Sequence, residues 1–449
     1  MSLLEQIKTA GVTGGGGAGF PTHVKLDCKV EYLIINGAEC EPLLRTDRWL
    51  MKNKTEEVLS AAQMTAAMVG AAKVVVALKS SYTDEISVLK AAIAKLGSRA
   101  ELFMLRHFYP AGDEQVMVCD VTGRSVPPSG IPLDVGAVVS NVATMYAVYQ
   151  AAQNKPLTHK YLTVTGEVAS PAIVRAPLGT PLIECVAGAG GSVIDDFRVL
   201  VGGPMMGKLF TAQEAAAQVV TKTTSGVVVL PPGTALARAN DLPLRAVLRR
   251  AKVACVQCAT CTEMCPRYLI GHPLRPHMIM RKLAYSPGVS SLLGDNEVRQ
   301  ALICSECGVC EVYACPMGLA PRRINVHIKD EMAKAGVRYQ KPSGTFHQLE
   351  ERSHRRAPTG RIAYRLGVEK YYDYRIDTLK ELEPSAVKIP LKQHIGQPST
   401  PVVRPGESVT CGQLIGALPD GSLGANIHAS ISGTVTRVDQ SIVIERGQA

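Results

Sequence analysis

Aromatic side chains are scarce in this sequence of 449 residues, of which phenylalanine, tyrosine and tryptophan together make up 5%. With one tryptophan and six phenylalanines, the chain offers few rings on which nucleic-acid bases could stack. The formal net charge of +10 alone would suit nucleic acid, but no nucleic-acid-binding module or aromatic-basic array accompanies it. We therefore expect no nucleic-acid partner, and we expect anionic cofactors or an acidic protein partner to explain the positive charge.

Long apolar segments are also lacking. No uninterrupted run of about 18 apolar residues occurs, so no transmembrane segment is predicted. Residues 1–11 lack the basic flank and apolar core of a secretory signal, so a cytoplasmic location is predicted. A reducing cytoplasm suits free thiols, and five scattered cysteines are predicted to be buried thiols rather than disulfides. These are Cys28, Cys40, Cys119, Cys185 and Cys411.

The remaining eight of the 13 cysteines form two closely spaced groups. The first clip is Cys255-x2-Cys258-x2-Cys261-x3-Cys265-Pro266, and the second clip is Cys304-x2-Cys307-x2-Cys310-x4-Cys315-Pro316. Three cysteines spaced by two residues wrap three irons of a [4Fe–4S] cube. A more distant cysteine followed by proline supplies a fourth ligand, which in two-cluster ferredoxins serves the other cube.

This spacing predicts two [4Fe–4S] clusters that exchange their fourth ligands. The predicted ligands of one cube are Cys255, Cys258, Cys261 and Cys315, and those of the other are Cys304, Cys307, Cys310 and Cys265. Zinc is the alternative, because paired C-x2-C motifs also bind Zn²⁺. Zinc sites seldom add a third cysteine at the same spacing and then Cys-Pro, so the clusters are favoured. Crossed clusters usually pass single electrons, which indicates a redox protein.

A chain of this length exceeds what one hydrophobic core organises, so several domains are expected. Apolar runs at 30–36 and 72–78 alternate with helical periodicity at 56–69 and 84–96, which predicts a parallel sheet covered by helices. The predicted fold class is multidomain α/β plus β. The predicted domains are an α/β domain (1–152), a β-grasp, SLBB-like domain (156–215), a connector (216–245), a ferredoxin-like α+β domain with both clips (246–335), a basic linker (336–385) and a barrel-sandwich hybrid β domain (386–449).

The last of these domains resembles those that carry biotin or lipoate on a hairpin lysine. Residues 429–433 contain no lysine, so a scaffold role is predicted rather than a swinging arm.

A glycine-rich loop, Gly14-Gly-Gly-Gly-Ala-Gly19-Phe20-Pro21, is the second strong feature. Consecutive glycines let backbone N–H groups surround a phosphate, and Lys25 follows closely enough to neutralise one. The loop contains G-x-G-x-x-G, but a Rossmann loop follows a strand, whereas residues 2–10 have helical periodicity. A plain flexible loop is the other alternative.

The segment Asn36-Gly-Ala-Glu39-Cys-Glu41-Pro42 begins where the predicted strand 30–36 ends. Open α/β sheets bind ligands at the carboxyl ends of their strands. Together with the glycine loop, this segment predicts a pocket that grips a phosphate and hydrogen-bonds a ring or ribose.

Residues 11–25, 36–42, 109–115 and 140–142 resemble the flavin-site segments of the 51 kDa subunit of respiratory NADH dehydrogenase. The resemblance implies that the α/β domain (1–152) binds FMN and NADH. The implied FMN residues are Gly14, Gly16, Gly17, Gly19, Lys25, Asn36, Glu39 and Asn141. The implied NADH side consists of Phe20 and the candidate catalytic residues Glu41, Asp113 and Glu114, which would orient nicotinamide and ribose.

Two clusters behind such domains resemble the C subunit of Rnf complexes, as do Gly202-Gly-Pro-Met-Met-Gly207 and His394-Ile-Gly. The hybrid domain at the end of the chain and Gly271-His-Pro-Leu-Arg-Pro-His277 resemble the cobalamin reductase family of propanediol-utilisation microcompartments. This resemblance implies an NADH-dependent oxidoreductase that passes electrons through FMN and two clusters to a corrinoid. It also implies an adenosyltransferase or a shell protein as partner, and residence in a bacterial microcompartment.

For the electron acceptor, the sequence leaves alternatives open. The chain lacks the D-x-H-x-x-G motif of base-off cobalamin binding, so a corrinoid would bind transiently or on a partner. The first alternative is another acceptor, such as a ferredoxin, a quinone-linked membrane complex or an amino-acid reductase. The second is a non-enzymatic electron-relay scaffold without flavin. We expect the acceptor near the cluster of the second clip.

Overall fold

The N-terminal part of the computed structural model, which describes residues 1–15 and 17–447, is an α/β unit. Its strands are β1 (Tyr32–Asn36), β2 (Lys73–Lys79), β3 (Ala100–Leu105) and β4 (Ala137–Asn141). Its helices are α1 (Leu3–Thr9), α2 (Thr22–Lys25), α3 (Thr46–Asn53), α4 (Thr55–Val69), α5 (Thr83–Leu96), α6 (Glu114–Thr122) and α7 (Val142–Ala152). The strands form a parallel sheet in the order β3-β2-β1-β4, which confirms the predicted architecture.

The centre of this sheet sets the position of the polar residues that follow it. Leu33, Ile34 and Ile35 of β1 are fully buried, because helices cover both faces of a parallel sheet. Strands β1 and β4 pair in register, so Asn36 and Asn141 lie side by side at the carboxyl edge.

A mixed sheet follows, with helices α8 (Leu182–Gly188), α9 (Ala212–Ala216) and α10 (Ala235–Asp241). Its strands are β5 (His159–Gly166), β6 (Ala172–Pro177), β7 (Arg198–Val201), β8 (Lys208–Thr211), β9 (Gly226–Leu230) and β10 (Leu379–Glu381). The order is β10-β6-β5-β9-β7-β8. The prediction of a connector at 216–245 is therefore corrected, because the fully buried β9 lies at the centre of this sheet.

Helices surround the two clips. They are α11 (Leu244–Ala254), α12 (Thr260–Glu263), α13 (Pro266–Leu269), α14 (Pro276–Ala284), α15 (Asn296–Arg299) and α16 (Pro321–Lys334). Residues 246–335, all of which the structure describes, contain no strand, so the α+β prediction for this region is corrected. The physical reason is the segment between the clips, whose helix α14 buries Ile279 in one core with Val247 of α11 and Ile324 of α16.

The predicted basic linker (336–385) also packs against the protein. Helix α17 (Thr359–Leu366) buries Ile362 completely. Arg352 is 6% exposed and forms an ion pair with Asp120 at 2.9 Å. The same segment supplies β10. The prediction of a basic linker is therefore corrected, because an amphipathic helix and a buried arginine in this segment pack against the rest of the protein.

The C-terminal part consists of two small antiparallel sheets that enclose one apolar core. Its strands are β11 (Ala386–Pro390), β12 (Thr400–Pro401), β13 (Ser408–Val409), β14 (Leu414–Ala417), β15 (Ile427–His428), β16 (Gly433–Val438) and β17 (Ser441–Glu445). The strand orders are β11-β17-β16-β13 and β12-β14-β15.

The helices are short throughout, and α4 has 15 residues. Across the described ranges, no helix has both the length and the apolar character that crossing a bilayer would require.

Candidate functional site

A large cavity opens at the carboxyl ends of β1 and β4 and reaches the second clip. Its volume is about 1140 Å³, which exceeds the range of roughly 300–1,000 Å³ that is usual for ligand pockets. Seven residues predicted for FMN and NADH line it, namely Gly17, Asn36, Glu39, Glu41, Asp113, Glu114 and Asn141. Cys307 lines the same cavity, so the predicted flavin pocket and the second clip share a wall.

Four other predicted residues lie in or just after the glycine loop and not on the cavity wall. They are Gly14, Gly19, Phe20 and Lys25. The Gly14 N–H donates to the Phe20 carbonyl at 2.9 Å and closes the loop. Gly19 has a φ of +73°, and a Cβ there would lie 2.7 Å from Cγ2 of Thr223, so a larger residue would not fit. Gly16 lies outside the described residues.

The glycine loop and the N-terminus of α7 form a cradle beside a buried cation. The Gly15 N–H donates to Oγ1 of Thr144 at 2.9 Å, and a Cβ on Gly15 would lie 3.3 Å from Nζ of Lys160. Lys160 is 7% exposed and lines the cavity. Burial lowers the pKa of Lys160 to about 8, although the charge of Asp47 opposes this shift. A desolvated cation next to a helix N-terminus fits an anionic group.

Two half-buried carboxyl groups, those of Glu39 and Asp47, lie on the cavity wall beside Asn141. Oε2 of Glu39 accepts from the Asp47 N–H at 3.2 Å, and Nδ2 of Asn141 donates to Oδ2 of Asp47 at 2.7 Å. Burial, followed by the charge of Asp47, raises the pKa of Glu39, and burial raises the pKa of Asp47. A raised pKa favours the protonated carboxyl group, which can donate as well as accept a hydrogen bond. Such a group can bind the polar edge of a ring.

Glu41 is held by the glycine-rich turn between β7 and β8. Its Oε2 accepts from the Met205 N–H at 2.8 Å. A Cβ on Gly203 would lie 2.2 Å from Cβ of Glu41, so the close approach requires glycine. Burial raises the pKa of Glu41 to about 7. The motif at 202–207 therefore has a local function: it supports a carboxyl group on the cavity wall.

Asp113 and Glu114 are both engaged by other protein groups. Oδ1 of Asp113 caps α6 by accepting from the Val116 N–H at 3.1 Å, and its Oδ2 forms an ion pair with Arg267 at 2.9 Å. Glu114 pairs with Lys25. The prediction that Lys25 neutralises a phosphate is thus corrected, because Lys25 does not line the cavity and its charge is directed to the Glu114 carboxylate at the cavity wall. Asp113 joins the wall of the large cavity to the helix that follows the first clip.

The two clips share one backbone geometry. The second and fourth residues after the first cysteine are left-handed in both: Gln257 (φ 54°) and Ala259 (φ 63°) in the first, Glu306 (φ 61°) and Gly308 (φ 79°) in the second. This conformation costs roughly 1 kcal/mol or more for a residue other than glycine. It turns backbone N–H groups inward, and the Glu306 N–H donates to Sγ of Cys304 at 3.4 Å.

The cysteines lie in the two crossed groups that the spacing predicts. A small cavity is lined by the surface set, which consists of Cys255, Cys258, Cys261 and Cys315. Burial and then the charges of Cys255 and Cys315 raise the pKa of Cys261 to about 12. The inner set consists of Cys304, Cys307, Cys310 and Cys265. Burial and then the charges of Cys307 and Cys304 raise the pKa of Cys265.

The thiols of the described residues do not converge as the ligands of a single metal ion do. In the part of the chain that the structure describes, no three histidine, cysteine, aspartate or glutamate side chains converge tightly enough to hold one metal ion. Zinc draws its ligands to about 2.3 Å from a single centre, whereas the four thiolates of a cube bind four different irons and lie further apart.

The two sets differ in exposure. Cys265, Cys307 and Cys310 of the inner set are 7%, 9% and 7% exposed, whereas Cys258 of the surface set is an exposed residue. The hydroxyl of Tyr109, which lines the large cavity, donates to the Cys307 carbonyl at 2.8 Å. The expectation that the acceptor lies near the second clip stays a prediction, whereas Cys307 of the inner set lines the large cavity and Cys258 of the surface set is exposed.

Sequence reasoning missed Lys160 and Asp47. A usable signal existed for Lys160, which alternates with Leu162 and Val164 on the buried face of β5, where a lysine is unexpected. Asp47 carries no comparable signal, because its partners Glu39 and Asn141 are distant in sequence or lie on another element.

Four family models match the chain. Residues 7–150 match the Nuo51 FMN-binding domain, 161–209 the SLBB domain, 254–320 the 4Fe-4S dicluster domain and 371–449 the RnfC barrel sandwich hybrid domain. The predicted multidomain fold class is thereby confirmed.

Curated relatives include two proteins described as cobalamin reductase PduS. The protein from Citrobacter freundii is 40% identical over 448 residues, which cover 99% of this chain and 97% of the relative. The protein from Salmonella typhimurium is 40% identical over 449 residues, covering 99% and 96%. The C subunit of the Na(+)-translocating ferredoxin:NAD(+) oxidoreductase complex of Acetobacterium woodii is 34% identical over 278 residues, covering 60% of this chain and 58% of that relative.

Proposed function

Because the chain belongs to the family of the PduS cobalamin reductases, we propose that it oxidises NADH and delivers single electrons to a corrinoid. It is an oxidoreductase with FMN-binding and 4Fe-4S domains, and its chemistry is NADH-linked flavin and iron–sulfur electron transfer. The proposal adds three things: the acceptor, the presence of two clusters and the residues that serve each step.

One observation carries the proposal: a single cavity is lined by the glycine loop, by Glu39 and Glu41, and by Cys307 of the inner set. A nicotinamide, a flavin and the first iron–sulfur relay can thus be neighbours without any movement of domains. When bound, FMN accepts a two-electron hydride and releases the electrons one at a time to clusters that carry one each.

The chain's own residues hold the flavin at both ends in this proposal. Gly17, the α7 N-terminus and Lys160 receive the phosphate, because Gly17 and the buried Lys160 line the cavity and Gly15 is anchored to Thr144 of α7. Asn36 and Glu39 face the ring. Nδ2 of Asn36 donates to the Gly112 carbonyl at 2.9 Å, which fixes the side chain at the strand end.

Glu41 and the Lys25–Glu114 pair serve the NADH side. Glu41 is held by the Met205 N–H, and Glu114 lies at the cavity wall with its charge balanced by Lys25. Phe20 is 38% exposed next to the glycine loop, where a ring can pack on the incoming nucleotide. Asp113 acts as a positioning residue, since its carboxylate is occupied by a helix cap and Arg267.

The inner set and the surface set would each hold one [4Fe–4S] cluster, with the inner cluster as the first relay. The corrinoid is supported by the names of the relatives at 40% identity and by the exposure of the surface set. An adenosyltransferase that presents the corrinoid, and a propanediol-utilisation microcompartment as the location, belong to the same proposal.

The test is an anaerobic titration. The reconstituted protein is analysed for iron, sulfide and FMN, and NADH is then added with and without cob(II)alamin while visible spectra are recorded. We expect bleaching of flavin and clusters, followed by a Co(I) band. Bleaching without Co(I) would refute the corrinoid and move the search to another acceptor. Absence of FMN and of bleaching would favour the relay scaffold.

A second experiment tests the phosphate site. Lys160→Met should weaken FMN binding about tenfold or more, because a buried cation is lost opposite a phosphate, but should leave riboflavin binding unchanged. Lys25→Met is the matched control, since Lys25 does not line the cavity and its charge is paired with Glu114. Equal losses for FMN and riboflavin would contradict the assignment.

A further inference from the structure

The protein surface around the surface set has an unusual composition. Three apolar side chains are strongly exposed there: Val253 (79%), Val256 (60%) and Met317 (43%). Val256 and Met317 line the same small cavity as the four cysteines, and Val253 precedes Cys255 by two residues. Exposed apolar side chains around a redox centre are typical of a site covered by a partner during electron transfer.

A basic helix borders these apolar residues. Helix α11 carries Arg245, Arg249, Arg250 and Lys252 and no acidic residue. The three arginines are exposed. Lys252 is occupied, because its Nζ donates to the Ser286 carbonyl at 2.7 Å.

The arginines lie close to the cysteines. At about 1.5 Å of rise per residue, Arg249 is only about 9 Å along the helix axis from Cys255. Nη2 of Arg250 approaches the Gly318 carbonyl at 3.5 Å, next to the loop that carries Cys315. Positive charge and apolar contact area are thus adjacent on one face.

We propose that this face, defined by Arg245, Arg249, Arg250, Val253, Val256 and Met317, docks an acidic protein that carries the one-electron acceptor. The inference rests on the proposed function, because the surface set must be where electrons leave. Charge complementarity selects an acidic protein over a free corrinoid, whose ring is edged by uncharged amides that a row of arginines would not attract. One electron leaves the protein and one acceptor is reduced at each encounter.

Charge reversal tests the face. The triple variant Arg245→Glu, Arg249→Glu, Arg250→Glu is compared with the control Lys8→Glu, Lys90→Glu, Lys388→Glu, which changes the net charge equally at exposed positions elsewhere. The probe is an acidic flavodoxin, and its dissociation constant for the cluster-loaded protein is measured at low and high salt. We expect the arginine variant to lose about tenfold or more in affinity at low salt and the control to lose less than twofold.

Electron transfer supplies the second readout. NADH-driven reduction of the flavodoxin should fall with the affinity, whereas reduction of free cob(II)alamin should stay within twofold. Equal flavodoxin binding by the two variants would overturn the proposal, as would a selective loss of cob(II)alamin reduction, which would assign the face to the corrinoid. Direct bleaching of flavin and clusters by NADH is recorded for each protein. Its absence from the wild type would refute the proposed function, and its presence with unchanged binding would refute the docking face alone.

Discussion

The two cysteine sets have the same local structure and different surroundings. Both clips place left-handed residues at the second and fourth positions after the first cysteine. The inner set nevertheless lies against the large cavity, where Cys307 forms part of the wall, while the surface set leaves Cys258 exposed.

This difference shows that spacing specifies a cluster but packing specifies its place in a path. Tyr109 fixes the loop of Cys307, and the Asp113–Arg267 ion pair fixes the helix that follows Cys265. In the surface set, Cys258 is exposed, and its Sγ accepts from Oγ1 of Thr260 at 3.3 Å. We therefore propose that electrons pass from the flavin to the inner cluster, then to the surface cluster and the acceptor.

Replacing a single cysteine of either set is expected to have the largest effect of the tests of this comparison. Cys315→Ala should abolish the surface cluster and spare the inner one, because the fourth ligands cross. Cys265→Ala should do the reverse and also stop reduction of the surface cluster by NADH. Iron should fall from about eight to about four atoms per chain in each variant, as measured by iron analysis and EPR spectroscopy.

Cys411→Ala is the control for these variants, since this exposed cysteine belongs to neither set. Loss of the inner cluster in Cys315→Ala, with the surface cluster intact, would show that ligands do not cross.

A larger side chain in the glycine loop should weaken FMN binding without affecting either cluster. Gly17 lines the cavity, and a Cβ there would meet no atom within 4 Å, so valine would project into cavity space without a clash. Gly17→Val should weaken FMN binding about 100-fold, or about 2.7 kcal/mol, and leave the iron content unchanged. Flavin fluorescence titration measures the effect.

Gly233→Val is the matched control, because a Cβ there also meets nothing within 4 Å and the residue is exposed. Full FMN retention by Gly17→Val would refute the assignment of this loop to the phosphate.

Features that depend on residues close in sequence could be predicted, whereas those that depend on contacts between distant segments could not. The clips were recognisable because ligand spacing is local. Asn36 was found at the end of a predicted strand, and Asn141 was found through its resemblance to a flavin-site segment. Their adjacency depends on the pairing of β1 with β4. Lys160 comes from another sheet, and β9 was missed because the partners of its strand are distant in sequence. The order of the two clusters in the electron path could not be predicted, because the two clips have nearly equal cysteine spacing.

The ionisation of Glu41 should appear in the pH profile of the pocket beside the inner set. Burial raises the pKa of this carboxyl to about 7, so it is neutral below that pH and charged above it. Because a carboxylate repels anionic NADH, kcat/KM for NADH should fall several-fold as pH rises through about 7. In Glu41→Gln this fall should disappear. A profile identical to that of the wild type would remove Glu41 from the NADH side.

The smallest expected effect concerns the contact between the pocket and the inner set. Tyr109→Phe removes the hydrogen bond to the Cys307 carbonyl, worth about 1 kcal/mol, and keeps the ring. Reduction of the inner cluster by NADH should slow by about two- to fivefold in stopped-flow experiments. Tyr364→Phe, at a side chain that is 70% exposed, should change nothing. Equal rates in both variants would mean that Tyr109 does not position this loop.

The most direct test of the central claim is the order in which the clusters are reduced. The protein is mixed anaerobically with NADH and frozen at successive times, and the EPR signals are assigned with Cys315→Ala and Cys265→Ala. We predict that the inner-cluster signal appears first and the surface-cluster signal follows. Earlier reduction of the surface cluster, or its reduction by NADH in Cys265→Ala, would contradict this order.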